Sequence, residues 1–189
     1  MRAAGQCPPV THQADDHSLV ARARDGDTTA FEQLMRRYSG PVYRIALRVL
    51  GETGAAEDAA QEAFITAWRR LGEIRAEQAF AAWMYRIVTT RAINTARSHR
   101  HDVSIDDALL PPSRAGDPQQ HALAAGLCAA LAGALGMLTP QQRACWVLRE
   151  LEGLSYDEIA DITRASPDAV RGRIHRARAR LAEELTAWR

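Results

Sequence analysis

Apolar residues return every three or four positions along most of this chain, and the polar residues between the stripes mark helix ends. Phe31, Leu34, Met35 and Tyr38 share one helical face behind Asp27, a capping residue. Ahead of them, Asp16 is read as the cap of a helix that runs to about Arg24 and stops at Gly26. Pro41 falls at a first-turn position, which predicts a separate helix ending at Leu50 before Gly51. A further stripe of Ala60, Phe64, Ala67 and Leu71 predicts a helix over about 54–71. Phe80, Met84, Ile87 and Val88 predict another over about 78–98, with Trp83 in the core beside Phe80 and Ile87. Strand-like alternation is lacking, so the fold class is all-α.

The pattern breaks after residue 100. Pro111, Pro112, Gly116 and Pro118 lie among Asp102, Asp106, Asp107 and Asp117, as in an acidic extended linker. Helical signals then resume with an alanine-rich stretch over about 121–136. Thr139-Pro140-Gln141-Gln142 and Ser155-Tyr156-Asp157-Glu158 are capping boxes, and Ser166-Pro167 opens a last helix. The chain thus divides into a tail (1–15), a helical module (16–100), a linker (101–121) and a second helical module (122–186).

The second module contains a helix-turn-helix. A short helix with Ile159, Ala160 and Ile162 meets a tight turn at Arg164, Ala165 and Ser166. The following helix buries Val170, Ile174, Ala177, Leu181 and Leu185 and turns Asp168, Gly172, His175 and Arg176 the other way, flanked by Arg171, Arg173 and Arg180. A helix so presented suits the major groove: residues near its start reach base edges, and later arginines neutralise phosphates. A basic helix alone would equally be a solvated face; the capped two-helix geometry makes the difference.

Charge adds two partners to this picture. The formal net charge is only +1, yet residues 164–180 hold six arginines against one acid, and residues 52–62 hold four acids and no base. All 24 basic residues are arginine, the side chain suited to flat bidentate contacts with phosphate and guanine. Cys7, Cys128 and Cys145 show no CxxC spacing, as in reduced thiols of a cytoplasmic protein. No apolar run approaches the ~18 residues of a membrane span. His12, His17, His99, His101, His121 and His175 form no metal-ligand motif, and neither a GxSxG elbow nor a P-loop occurs, so neither a metal nor another cofactor nor an enzymatic activity is expected.

Three stretches carry a resemblance to a known family. Leu138 to Ala144, Gly153 to Ala160 and Val170 to Arg178 resemble region 4 of the ECF (extracytoplasmic function) sigma factors of the sigma-70 family. Residues 55–71, Ala-Ala-Glu-Asp-Ala-Ala-Gln-Glu-Ala-Phe-Ile-Thr-Ala-Trp-Arg-Arg-Leu, are similar to sigma region 2.2. Residues 80–100, with Trp83-Met84-Tyr85-Arg86-Ile87 at their centre, resemble regions 2.3 and 2.4. A lone helix-turn-helix would fit LuxR-like regulators as well; the first half decides.

The resemblance implies a protein that binds core RNA polymerase and directs recognition and opening of promoter DNA. It implies −35 contacts by Asp168, Ala169, Arg171, Gly172, His175 and Arg176, and −10 contacts by Tyr85, Arg86, Thr89, Thr90, Asn94 and Arg97. Duplex opening needs a surface for bases leaving the stack and cations for the strand. It further implies that Asp58, Gln61, Glu62 and Ile65 bind the β′ coiled coil, that the second module docks on the β flap, and that an anti-sigma factor is a partner. Those four residues fall at i, i+3, i+4 and i+7, on one face away from Phe64. Two departures stand out: Arg164 where the family has glycine at the turn, and Thr90 where many members have asparagine. A left-handed Arg164 would cost about 1 kcal/mol. The near-neutral charge predicts weak DNA binding by the free chain. The alternative is a stand-alone helix-turn-helix regulator with an N-terminal sensing domain, which predicts dimers on a palindrome.

Overall fold

The computed structural model describes residues 13–74, 80–102 and 130–186. The tail before residue 13, the loop at 75–79, the linker residues beyond 102, the start of the alanine-rich stretch, Cys7 and Cys128 lie outside the described residues. Among those described there are helices and turns and no strand. In order they are α1 (Gln13–Arg24), α2 (Thr28–Leu50), α3 (Thr53–Arg69), a 3-10 turn (Leu71–Glu73) and α4 (Phe80–Asp102), then α5 (130–136), α6 (Pro140–Glu150), α7 (Tyr156–Thr163) and α8 (Pro167–Leu185).

Local chemistry explains most helix ends. Asp27 accepts from the Ala30 N–H at 3.1 Å and caps α2, and Gly51 closes it at φ 80°. Thr139 and Ser155 each form a full capping box, and Ser166 accepts from the Ala169 N–H. Two sequence expectations are corrected. α2 does not restart at Pro41 but runs straight through it. The stripe of Leu34 and Tyr38 continues in Val42, Ile45 and Val49, all buried. Burying an aliphatic side chain contributes about 1.5–3 kcal/mol, so together they outweigh the roughly 3 kcal/mol that an interior proline costs. Asp16 does not cap α1; it lies within the helix, 4% exposed, and accepts from the Tyr38 hydroxyl and the Arg37 guanidinium of α2. The carboxylate is tolerated there because it is hydrogen-bonded and paired.

α2, α3 and α4 pack mutually as a three-helix bundle, with α1 across α2. Phe80, Leu34, Ile45 and Met84 are its largest fully buried side chains. In the second half α6 and α7 pack on α8 through Val170 and Ile174, while Ala177 and Leu181 meet Ala134, Leu135 and Leu138. The two halves also touch: α6 lies against α2 and α4, and α7 lies against α4. One continuous apolar cluster therefore runs from Phe80 and Tyr85 through to Leu148, Ile159 and Ile174.

Candidate nucleic-acid interface

The recognition helix presents its polar face to solvent. Its start is defined by the Ser166 cap and Pro167 at the first turn. Asp168, Arg171, His175 and Arg176 are exposed, and Ala169 and Gly172 are half-buried between them. Arg171 donates to Asp168 at 2.6 Å, and that carboxylate holds the guanidinium above its ordinary pKa. Arg171 also lies over the Tyr156 ring, 5.9 Å from its centroid, and Arg149 covers the same ring at 4.8 Å. The sequence reading missed Tyr156. Its aromatic ring at the first position of α7, beside two arginines, was the available signal. Arg178 is engaged elsewhere, bonded to Glu150 at 2.6 Å.

The turn before α8 places Arg164 at φ 50°, ψ 50°, the left-handed region that favours glycine. It is the one non-glycine residue with positive φ among the described residues. The helix-turn-helix geometry is thus kept with a strained residue, and Ala165 N–H still closes on Ala160 O at 3.0 Å.

On α4 the six predicted residues divide. Thr90, Asn94 and Arg97 are exposed and Arg86 is half-buried. Thr89 is fully buried and Tyr85 is 8% exposed, packed edge-on to Tyr38 at 6.4 Å. Burial, reinforced by the charge of Glu152, pushes the Tyr85 phenol up to about 12. Trp83 is half-buried, 6.1 Å from Phe80. A cleft of about 650 Å³ lies beside it, with Arg70, Arg86, Arg91 and Thr90 in its wall. Cations and a ring around one hollow suit a single strand and an unstacked base.

On α3, Asp58 and Gln61 are exposed, Ile65 is 43% exposed, and Glu62 is half-exposed and paired to Arg91 of α4. Trp68, 40% exposed, sits one turn from Ile65 and 4.9 Å from the Phe31 ring. Met35 of α2 is also exposed at 37%. The apolar pattern of the sequence puts Met35 on the buried face and does not single out Trp68. The i, i+3 spacing of Ile65 and Trp68 was the signal for an exposed apolar strip.

Cys145 is buried, and burial pushes its thiol up against the pull of Arg173. Among the described residues no cluster of His, Cys, Asp and Glu fits a metal, and no helix is long and apolar enough to cross a membrane.

Fold and surfaces together define an all-helical protein of two modules, one of them a helix-turn-helix. Comparison with known proteins narrows that class. The family model Sigma-70 region 2 matches residues 34–101, and Sigma-70, region 4 matches residues 128–181. The RNA polymerase sigma-H factor of Pseudomonas aeruginosa is 35% identical over 92% of this chain and 95% of its own length. The ECF RNA polymerase sigma-E factor of Escherichia coli is 35% identical over 89% and 93%. Among solved structures, CnrH in complex with the cytosolic domain of CnrY aligns at TM-score 0.67 and 29% identity, covering 91% of this chain and 97% of that one. The sigma factor RpoE of Bartonella quintana, solved with the anti-sigma factor NepR, shares the fold at TM-score 0.69 and 23% identity. The chain belongs to the ECF sigma factors of the sigma-70 family, and its role is promoter recognition in transcription initiation. A stand-alone regulator with a sensing domain is not favoured, because the first half is itself a sigma-70 region.

Proposed function

We propose that the chain acts with core RNA polymerase in the cytoplasm and carries out no reaction of its own. Residues 16–100 act as the module that binds polymerase and opens the −10 element, residues 101–121 as the linker, and residues 122–186 as the −35 reader. Asp58, Gln61, Glu62 and Ile65, extended by Trp68, form an acidic face with apolar anchors that fits the basic β′ coiled coil; the second module meets the β flap. Asp168, Ala169, Arg171, Gly172, His175 and Arg176 face the −35 element. Thr90, Asn94 and Arg86 face the −10 strand at the cleft beside Trp83, with Arg97 one turn further along α4, and Tyr85 and Thr89 join them only once uncovered. An anti-sigma factor is a further partner, as NepR is for the Bartonella RpoE.

The observation that carries this reading is the pairing in one chain of an exposed acidic, apolar α3 face with an exposed basic α8 face, each within its own sigma-70 region. Run-off transcription with purified core polymerase on a promoter library tests it. Discrete transcripts that need both the chain and core enzyme are expected, with shared −35 and −10 sequences. Transcription no different from core enzyme alone would sink the reading.

A further inference from the structure

The stretch of α8 proposed for the −35 element holds one acid among its cations. Residues 164–180 carry six arginines and a single acidic residue, Asp168. It stands in the first turn of the helix with its side chain 88% exposed. Beside DNA, such a carboxylate opposes every phosphate that approaches it. A carboxylate in a first turn complements the helix macrodipole, and an exposed ion pair three residues apart adds little to stability. Neither effect needs the acid on the side that meets nucleic acid.

The partner of Asp168 points to another role. Asp168 Oδ1 accepts from Arg171 Nη2 at 2.6 Å, one turn along. The same guanidinium stands over the Tyr156 ring at the start of α7, 5.9 Å from its centroid. Tyr156 is itself held, because Arg149 covers its ring at 4.8 Å while donating to the Leu154 carbonyl at 2.8 Å. Arg171 is therefore gripped twice, by a carboxylate of its own helix and by a ring of the preceding one. The pairs of Arg178 with Glu150 and of Arg180 with Glu183 and Glu184 involve later turns, beyond the residues expected to reach base edges.

A guanidinium is a flat fork of donors that fits guanine O6 and N7 and fits a phosphate equally well. Which of the two it meets depends on where the fork can point. With Nη2 committed to Asp168 and the group resting at Tyr156, fewer orientations remain. A phosphate beside Arg171 would also meet the Asp168 carboxylate, whereas a guanine edge carries no net charge and incurs no such repulsion.

We propose that Asp168 is a positioning residue that sets the −35 specificity of this chain: with Tyr156 it holds Arg171 for the edge of a guanine and denies that arginine to the DNA backbone. This inference rests on the assignment of α8 as the −35 reader.

The test uses holoenzyme assembled from the full chain and core polymerase, on a promoter library randomised across −35. Base preference is read by run-off transcription, and the slope of log affinity against log salt is measured from about 50 to 200 mM. Arg171→Met marks the position that Arg171 reads, which should be a guanine. Asp168→Asn keeps the shape and removes the charge. Preference at that position should fall about tenfold, and the salt slope should steepen by about 1 as the freed arginine neutralises one more phosphate. Asp168→Glu keeps the charge and should retain the preference. In an Arg171→Met background Asp168→Asn should change neither readout, since the group it acts through is gone. Asp168 is exposed, so melting temperatures should stay within about 2 °C of wild type. Four results would overturn the inference: an unchanged preference in Asp168→Asn, an equal steepening with and without Arg171, a preference lost only alongside a lower melting temperature, or a base other than guanine at the Arg171 position. Wild-type holoenzyme with no −35 preference removes the sigma reading and the inference with it. A wild-type preference that Asp168→Asn leaves intact removes the inference alone.

Discussion

Arg143 and Val49 stand 94 positions apart in the chain, yet the Arg143 Nη1 donates to the Val49 carbonyl oxygen in a buried hydrogen bond. Val49 belongs to the last turn of α2, where carbonyls have no donor within the helix and the macrodipole favours a cation. The same guanidinium donates to Gly136 O at 3.0 Å and to Leu138 O, so one side chain closes the end of α2, the end of α5 and the start of α6.

Arg143→Met keeps an apolar stem of similar reach and removes every one of those donors. Unfolding free energy in urea should fall by about 1–3 kcal/mol, because buried carbonyls are left unpaired. An unchanged midpoint would show that the bonds are replaced at no cost.

Alkaline titration should destabilise the protein through Tyr85. Its folded pKa, about 12, lies above the unfolded value of about 10. The folded state therefore holds the proton longer. Its contribution is complete below pH ~10 and is lost as pH rises through about 12. Tyr38 adds to the same trend, held up by burial and by its bond to Asp16. Thermal melts from pH 8 to 12, with and without Tyr85→Phe, check the sign: the variant should lose less stability across that window.

Arg164→Gly relieves a left-handed backbone at the turn. It should stabilise by about 1 kcal/mol and raise Tm by about 2–4 °C. Arg164→Ala removes the same charge without relieving the backbone and should give no such rise.

Ile65→Asp places a charge in the exposed strip of α3 without touching the core. Affinity for core polymerase, measured by competition, should fall at least ~30-fold, the scale of a hot-spot residue. Trp68→Ala should weaken binding too and also lower Tm, since its ring rests on Phe31. Full binding by Ile65→Asp would move the polymerase surface elsewhere.

Arg176→Ala distinguishes base reading from phosphate contact in transcription from a promoter library. A base contact predicts relaxed preference at one −35 position, worth about 1–3 kcal/mol. A phosphate contact predicts uniform weakening and a salt slope shallower by about 1. No change in either would remove Arg176 from the interface.

Features under local chemical control can be read from the order of residues alone. Caps at Asp27, Thr139, Ser155 and Ser166 act over three residues, so helix starts were legible there. The apolar period of Val170, Ile174, Ala177 and Leu181 sets which face of α8 stays open, and motif order carries the likeness to both sigma regions. The remaining features follow from packing between distant segments. Pro41 reads as a helix start until the burial of Val42, Ile45 and Val49 shows what holds the helix through it. Asp16 reads as a cap until Tyr38 and Arg37 arrive from α2 to bond it. Tyr85 and Thr89 read as surface, and the helices packed around α4 place them inside. Each of these outcomes depends on groups 20 or more positions away in the chain, and local spacing holds no record of which distant surfaces will meet.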